Sequence, residues 1–429
     1  MIARWRWALG QLTKRLWFRA SLFSLLGIAA ALIAIFFKDF VPPSLPAQIG
    51  ADAVDDILGI IASSMLAVTT FSLSTMVSAY SAASSGVTPR ATTLIMEDAT
   101  TQNALATFLG SFLFSLVGII ALSTGIYGAQ GRVVLFAATI AVVILIVYTL
   151  LRWIDHLSKL GRVGETIDRV ERAAIKALDG RTEWPFLGGV EYPKNFTPPD
   201  SACAVLGTET GYVQHIDVQA LGTLAKDSQL EVYLEVLPGA FVHQGMLLAQ
   251  IVELNPSGDA DNLAKKILAT ITIGIRRTFE HDPRFGLSVL SEIASRALSP
   301  AVNDPGTAID VIGRGVRCFA RLAAQATVSG SINGDCGQVH LRGLEIDDLF
   351  DDFFAPIARD GAGIIEVDIR MMKALLSLYE INPQIFKQGC SKHAQQLLDR
   401  AQLTLTLEEE RLRLRAVAAP LTAATQSDI

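Results

Sequence analysis

Residues 57–80 read ILGIIASSMLAVTTFSLSTMVSAY, an uncharged segment long enough to cross a lipid bilayer as a helix. Three more uncharged apolar segments lie at residues 20–37, 104–127 and 133–151. The hydrocarbon core of a bilayer is about 30 Å thick and needs about 20 helical residues to span it. The sequence therefore predicts an α-helical membrane protein with four N-terminal transmembrane helices.

The composition agrees with a membrane-embedded part. Hydrophobic residues make up 51% of the chain and charged residues only 18%, whereas soluble domains are usually about a quarter charged. The net charge of −6 gives no strongly basic face, so a nucleic-acid partner is not expected. Four widely spaced cysteines without a CxxC pair predict neither a zinc site nor a disulfide framework.

The charges around the apolar segments predict an orientation. Lysine and arginine dominate before the first segment and after the fourth, whereas the first loop contains mainly aspartate after Lys38. Because cytoplasmic loops carry the excess of basic residues, both termini are expected in the cytosol. The lipid bilayer is thus a predicted partner, and the chain is expected to cross it several times.

The remaining sequence predicts a cytosolic α+β domain. Residues 1–152 are interpreted as the four-helix transmembrane domain, and residues 153–180 as a helical stalk that continues the fourth helix. Residues 181–258 contain a linker rich in proline and glycine followed by a small β barrel-like module. Residues 259–429 are expected to form a helical domain, with one helix along residues 263–279 and another along residues 383–415.

The second apolar segment contains a stripe of hydroxyl side chains. At 100° per residue, the hydroxyl residues that fall within an arc of about 80° are Ser63, Thr70, Ser74, Ser78 and Ser81. Packing on small residues of the third segment within one protomer is the simpler interpretation. The alternative is a polar lining of a pore at an oligomer axis, because the four segments lack the ionisable side chains of coupled pumps.

A second set of candidate residues surrounds the segment SRALSPAVNDPGTAIDV at residues 295–311. Ser299-Pro300 ends one predicted helix, while Asp304 is a predicted N-cap and Pro305 the first residue of the next helix. This corner is either a rigid connection or a binding site for an anionic ligand. The ligand-binding or gating candidates are Arg277, Glu280, Asp282, Asn303 and Asp304.

One long motif resembles a known family. RRTFEHDPRFGLSVLSEIASRALSPAVNDPGTA at residues 276–308 is similar to the signature of predicted bacterial membrane proteins classed as domain of unknown function 2254. The second and third apolar segments and the turn SSGVTPR between them share the resemblance. The resemblance implies four N-terminal membrane helices, a cytosolic domain and a location in the bacterial inner membrane, and it implies no established activity.

Taken together, these features favour an oligomeric channel or pore-like protein with a cytosolic regulatory domain. The expected partners are other copies of the chain and a small ion or anionic ligand. The alternative is a membrane-anchored sensor or scaffold without a conduit. The chain lacks GxSxG, P-loop and HExxH motifs, so no enzyme, catalytic residue, cofactor or metal site is predicted.

Overall fold

The computed structural model describes residues 16–36, 53–96, 98–125, 128–193, 197–199, 201–253, 260–326 and 334–426. Within these ranges the chain forms two compact units. The first unit ends at Thr166 and the second begins at Ile167.

The first unit is helical. Its elements are α1 (Leu16–Phe36), α2 (Ala53–Gly86), α3 (Pro89–Met96), α4 (Ala99–Ser123) and α5 (Gly128–Leu157), and α6 (Val163–Glu183) begins at its end. Among the described residues, three helical segments are long and apolar enough to cross a membrane: Ala53–Ala82, Ala99–Ser123 and Gln130–Leu157. The apolar part of α1, Trp17–Ile33, is shorter. Residue 37, the end of the first predicted span, lies outside the described residues.

Helix α4 lies at the centre of this unit. The small residues predicted to form a packing ladder on it, Thr107, Ser111, Ser115 and Gly118, are all buried. Small residues let membrane helices approach closely, and α1 packs so tightly on α4 that a Cβ atom on Gly27 would lie 2.5 Å from the Gly110 carbonyl oxygen.

The second unit combines strands and helices. After α6, its elements are β1 (Val190–Glu191), β2 (Cys203–Leu206), β3 (Gly211–Ile216), α7 (Val218–Asp227), β4 (Leu230–Leu234), β5 (Phe241–Val242), β6 (Leu247–Glu253), α8 (Ala260–Leu268), β7 (Ile271–Gly274), α9 (Pro283–Ala297), α10 (Pro305–Ala326), β8 (Val339–Leu341), α11 (Ile346–Asp360), α12 (Ile365–Ile381), α13 (Pro383–Thr404) and α14 (Glu408–Gln426).

The strands form two sheets that share one apolar core. The larger sheet has the order β1-β8-β4-β6-β2 and the smaller has the order β5-β3-β7. Strand β8 is parallel to β4, with Val232 opposite Val339, and both side chains are buried in the core. Because β7 and β8 lie beyond residue 258, the β module is completed by later segments and is not confined to residues 181–258.

Three predicted helices differ from the structure. The predicted stalk is interrupted, because α5 ends at Leu157 and α6 begins only at Val163, after a turn in which Gly161 has a φ of 82°. The predicted helix along residues 263–279 ends at Leu268 and is followed by β7. The predicted helix along residues 383–415 is divided into α13 and α14, because Leu405 has an extended backbone.

The helical part of the second unit has its own aromatic core. Five phenylalanines from α10, α11 and α13 pack together: Phe319, Phe350, Phe353, Phe354 and Phe386. The ring centroids of Phe319 and Phe350 are 4.8 Å apart. Helix α7, by contrast, packs in the core of the sheets through Val218, Leu221 and Ala225.

Candidate functional site

The hydroxyl stripe of α2 faces away from the rest of its own protomer. All five predicted pore-lining residues, Ser63, Thr70, Ser74, Ser78 and Ser81, are exposed. The opposite face carries the buried side chains Leu58, Ile61, Met65, Ser72 and Met76. The stripe therefore does not pack on α4, and the interpretation of packing within one protomer is not what the structure shows.

Larger apolar side chains lie beside and within the stripe. Phe71, 66% exposed, lies beside it, and Ile60, 67% exposed, lies about five helical turns before Ser78 on the same line of the helix. Near the start of α2, the exposed Asp56 precedes Ser74 by about five helical turns and so lies on the same line of the helix. The exposed half of α2 thus carries hydroxyls along its middle, apolar side chains beside them and at Ile60, and an acidic residue at one end.

The corner at residues 299–305 is a helix cap. The Thr307 amide donates to Asp304 Oδ1 at 3.0 Å and the Thr307 hydroxyl donates to Asp304 Oδ2 at 2.6 Å. These hydrogen bonds hold the pKa of Asp304 below its usual value. Asn303 is exposed and has a φ of 50°. The carboxylate of Asp304 already occupies the start of α10, which is the place where an anion would bind.

Arg277 and Asp282 form a second capping arrangement. Arg277 Nε donates to Asp282 Oδ2 at 2.7 Å and Nη2 donates to Asp282 Oδ1 at 3.0 Å. Asp282 also accepts from the Phe285 amide at 3.1 Å, so it caps α9. Since α9 has 15 residues, it separates this pair from Asn303 and Asp304 by about 22 Å. The five gating candidates do not form one site.

Glu280 instead lines a cavity of about 450 Å³ in the second unit. The wall comes from four separate segments: the end of α6 with the turn after it, the junction of β3 and α7, the residues before α9, and the residues before β8. Its charged and aromatic members include Lys176, Arg181, Trp184, His215, Glu280 and His281. The cavity thus brings together polar side chains from segments that are far apart in the sequence.

Arg181 is the unusual member of this wall. Its side chain is only 5% exposed, and its Nη1 donates to the Pro185 carbonyl at a long 3.5 Å. Its Nε has no hydrogen-bond partner among the described residues. Burial lowers the pKa of Arg181 to about 10, against the opposing charge of Asp282. The guanidinium therefore stays charged at neutral pH, and no carboxylate among the described residues forms a hydrogen bond with it.

Two histidines and one capping aspartate complete the polar part of the wall. The rings of His215 and His281 lie 4.8 Å apart between centroids. Burial lowers the pKa of His215, although the charge of Asp217 opposes this effect, so His215 is neutral at neutral pH. Asp217 Oδ1 accepts from the Ala220 amide at 3.0 Å and caps α7.

Of the residues that line this cavity, only Glu280 is among the ligand-binding candidates predicted from the sequence. Arg181, His215 and Trp184 are not among them. One signal was available for Arg181, because this residue continues the spacing of the buried face of α6, which carries Val170, Ala174 and Leu178. A charged side chain on the buried face of an amphipathic helix needs a partner or a ligand. No group of three or more potential metal ligands occurs among the described residues.

These features define a helical membrane protein with a second, α+β unit that contains a cavity of small-molecule size. The chain belongs to the family of predicted membrane proteins DUF2254, whose model matches residues 13–377. It is similar to the uncharacterized proteins Mb1321c of Mycobacterium bovis and Rv1290c of Mycobacterium tuberculosis, at 28% identity over 235 residues. The alignment covers 54% of this chain but only 45% of each relative. No solved structure matches the chain.

Proposed function

We propose that this protein is an oligomeric channel or pore-like protein of the bacterial inner membrane. In this proposal α1, α2, α4 and α5 cross the membrane, both termini are cytosolic, and the second unit is a cytosolic regulatory domain. The observation that carries the proposal is the outward position of the hydroxyl stripe on α2. In the part of a single protomer that the structure describes, the stripe is exposed, and an assembly around an axis would enclose it.

The chemistry of the stripe suits passive conduction. Hydroxyl oxygens can replace part of the hydration shell of a passing ion, and a ring of carboxylates at a pore mouth favours cations. Ser63, Thr70 and Ser74 would supply the hydroxyls, and Asp56 the carboxylate ring. Coupled pumps usually place ionisable side chains in the middle of the membrane, and the middle of α2 carries hydroxyls instead.

Two adjacent serines provide a matched test by ion flux in liposomes. Ser63 and Ser64 are both exposed, and they point about 100° apart on α2. With equal assembly, Ser63→Leu and Ser74→Leu should each reduce flux about tenfold or more, because about 1.4 kcal/mol of added barrier slows a rate tenfold. Ser64→Leu should conduct like the native chain. Absence of flux from the native chain at every salt, pH and voltage would refute the conduit.

The second candidate function is a membrane-anchored sensor or scaffold without a conduit. The cavity with the buried Arg181 favours it, because a buried cation without a protein carboxylate suggests a bound ligand. This candidate requires the second unit to bind a ligand or partner and to change state, and it requires no flux. Ligand binding by a chain that never conducts would support it over the channel.

A further inference from the structure

We propose that the cavity bordered by Arg181 binds a small organic monocarboxylate. This proposal rests on the second candidate function, for which it names the ligand class, and it uses only residues of the second unit. It does not depend on the α2 stripe, so a negative flux experiment would leave it standing.

The burial and the unused donor of Arg181 favour a carboxylate ligand. A buried guanidinium loses its hydration and usually recovers the loss through a hydrogen-bonded carboxylate. The carboxylate whose charge acts on Arg181, that of Asp282, is already held by both arms of Arg277. Arg181 Nε keeps an unused donor, and an arginine fork binds a carboxylate through two parallel hydrogen bonds. The missing partner is therefore most simply a carboxylate from outside the chain.

The size and the lining of the cavity suit a small organic ligand. A volume of about 450 Å³ lies within the usual range of small-molecule sites. Trp184, Leu187 and Ile216 supply apolar surface beside the charged groups. The first turn of α7 adds Val218 and Gln219 to the wall, but the carboxylate of Asp217 already caps this helix start. The wall thus offers the donors of Arg181 at one place and apolar contacts at another, as an amphipathic acid requires.

The charges of the cavity wall limit the charge of the ligand. Lys176 and Arg181 face three carboxylates, those of Asp217, Glu280 and Asp335, while His215 is neutral. With two cations against three carboxylates, the wall disfavours every added negative charge, so a ligand with a single charge, placed against the guanidinium of Arg181, is opposed less than a dianion. Glu280 can also accept a hydrogen bond from a hydroxyl or amino group on the ligand. A monocarboxylate fits this wall better than a phosphate ester.

The test uses the purified full chain in detergent and three probes of similar shape. These are benzoate, the neutral benzamide and the dianionic phenyl phosphate, with butyrate as a smaller carboxylate. Calorimetric titration should show benzoate or butyrate binding at least about tenfold more tightly than the other two probes, a difference of about 1.4 kcal/mol. Benzoate binding should also change the tryptophan fluorescence of the native chain, and this change should disappear in Trp184→Phe.

The variants separate a binding arginine from a structural one. Arg181→Met should lose carboxylate binding about tenfold or more while keeping or raising the melting temperature without ligand, because a buried charge is removed. Arg321→Gln removes an exposed arginine, which pairs with Asp179, and should change neither property. Gln219→Trp, at an exposed rim position, should block binding with Arg181 intact.

Several outcomes would overturn the proposal. Equal binding of benzamide would show that charge is not recognised, and tighter binding of phenyl phosphate would replace the monocarboxylate with a phosphate. A melting temperature that falls strongly in Arg181→Met, together with unchanged benzoate binding in Gln219→Trp, would make Arg181 structural. Failure of both benzoate and butyrate to bind the native chain would also refute it.

Discussion

Replacement of Glu171 by glutamine is expected to destabilise the second unit by about 3 kcal/mol, because it breaks a largely buried ion-pair network. Glu171 accepts from Arg317 Nε at 2.6 Å and Nη2 at 2.9 Å, and from Arg314 Nη1 at 2.8 Å. These contacts tie α6, which carries Arg181, to α10. Arg317 is half exposed, which screens part of the interaction, so the expected loss lies at the low end for buried pairs.

The loss can be measured by thiol labelling of Cys390. This residue is fully buried in α13, and burial raises its pKa to about 12, so it reacts only when the unit opens. Labelling at neutral pH should accelerate about a hundredfold in Glu171→Gln, at a factor of ten per 1.4 kcal/mol. Asp179→Asn is the matched control, because Asp179 pairs with Arg321 across the same two helices but in solvent. Equal effects of the two substitutions would contradict the expectation.

The effect of Glu171 should also depend on pH. Burial opposes ionisation of this carboxyl, but the hydrogen bonds and charges of Arg317 and Arg314 outweigh it and lower its pKa below 4.5. A carboxyl with a lowered folded pKa contributes stability above its unfolded pKa and loses it as the pH falls through the folded value. The difference between the native chain and Glu171→Gln should therefore shrink below about pH 4.5.

Replacement of Asp368 by asparagine is expected to have the opposite sign and to stabilise the second unit by about 2 kcal/mol at about pH 8. Asp368 lies in the first turn of α12 and is only 1% exposed. Burial raises its pKa to about 7, although a hydrogen bond from the Gly363 backbone opposes this. Its Oδ2 has no hydrogen-bond partner among the described residues. The ionised form is therefore poorly accommodated.

The pH dependence follows from this raised pKa. Since the folded state holds the proton more tightly than the unfolded state, the native chain loses stability as the pH rises from about 4 to about 7 and no further above that. Thermal unfolding of the full chain in detergent should show that the gain from Asp368→Asn grows over this interval. Glu366→Gln, an exposed position in the same helical turn, should give no gain. A gain that does not depend on pH would refute the assigned cause.

The membrane helices were predictable because the bilayer imposes a simple rule of length and composition. The uncharged segments at residues 57–80, 104–127 and 133–151 correspond to α2, α4 and α5. The end of helix α8 before strand β7 could not be predicted from length and composition. Ile267, Ile271 and Ile275 recur every four residues, as in a helix, and only the tertiary pairing of the segment with β3, in which Ile273 lies opposite Val213, makes it a strand.

The caps were predictable from local chemistry, and the cavity was not. Asp304 before Pro305 signals a helix start, and the hydrogen bonds to Thr307 agree with it. The cavity depends on tertiary structure, because Arg181, His215 and His281 come from distant segments with no mutual spacing in sequence. Glu280 and Asp282 are close in the sequence, but Glu280 lines the cavity and Asp282 caps α9.

We propose that the hydroxyl stripe of α2 lines a water-filled path in the assembled protein. The reaction of Ser74→Cys and Ser64→Cys, reconstituted in liposomes, with a cationic water-soluble methanethiosulfonate distinguishes such a path from a face covered by lipid. The thiolate is the reactive form of cysteine, and it forms readily only where water reaches. If the stripe lines a water-filled path, we expect fast modification and loss of flux at Ser74→Cys, with slow modification and unchanged flux at Ser64→Cys. Modification of Ser74→Cys no faster than that of Ser64→Cys would show that the stripe does not line such a path.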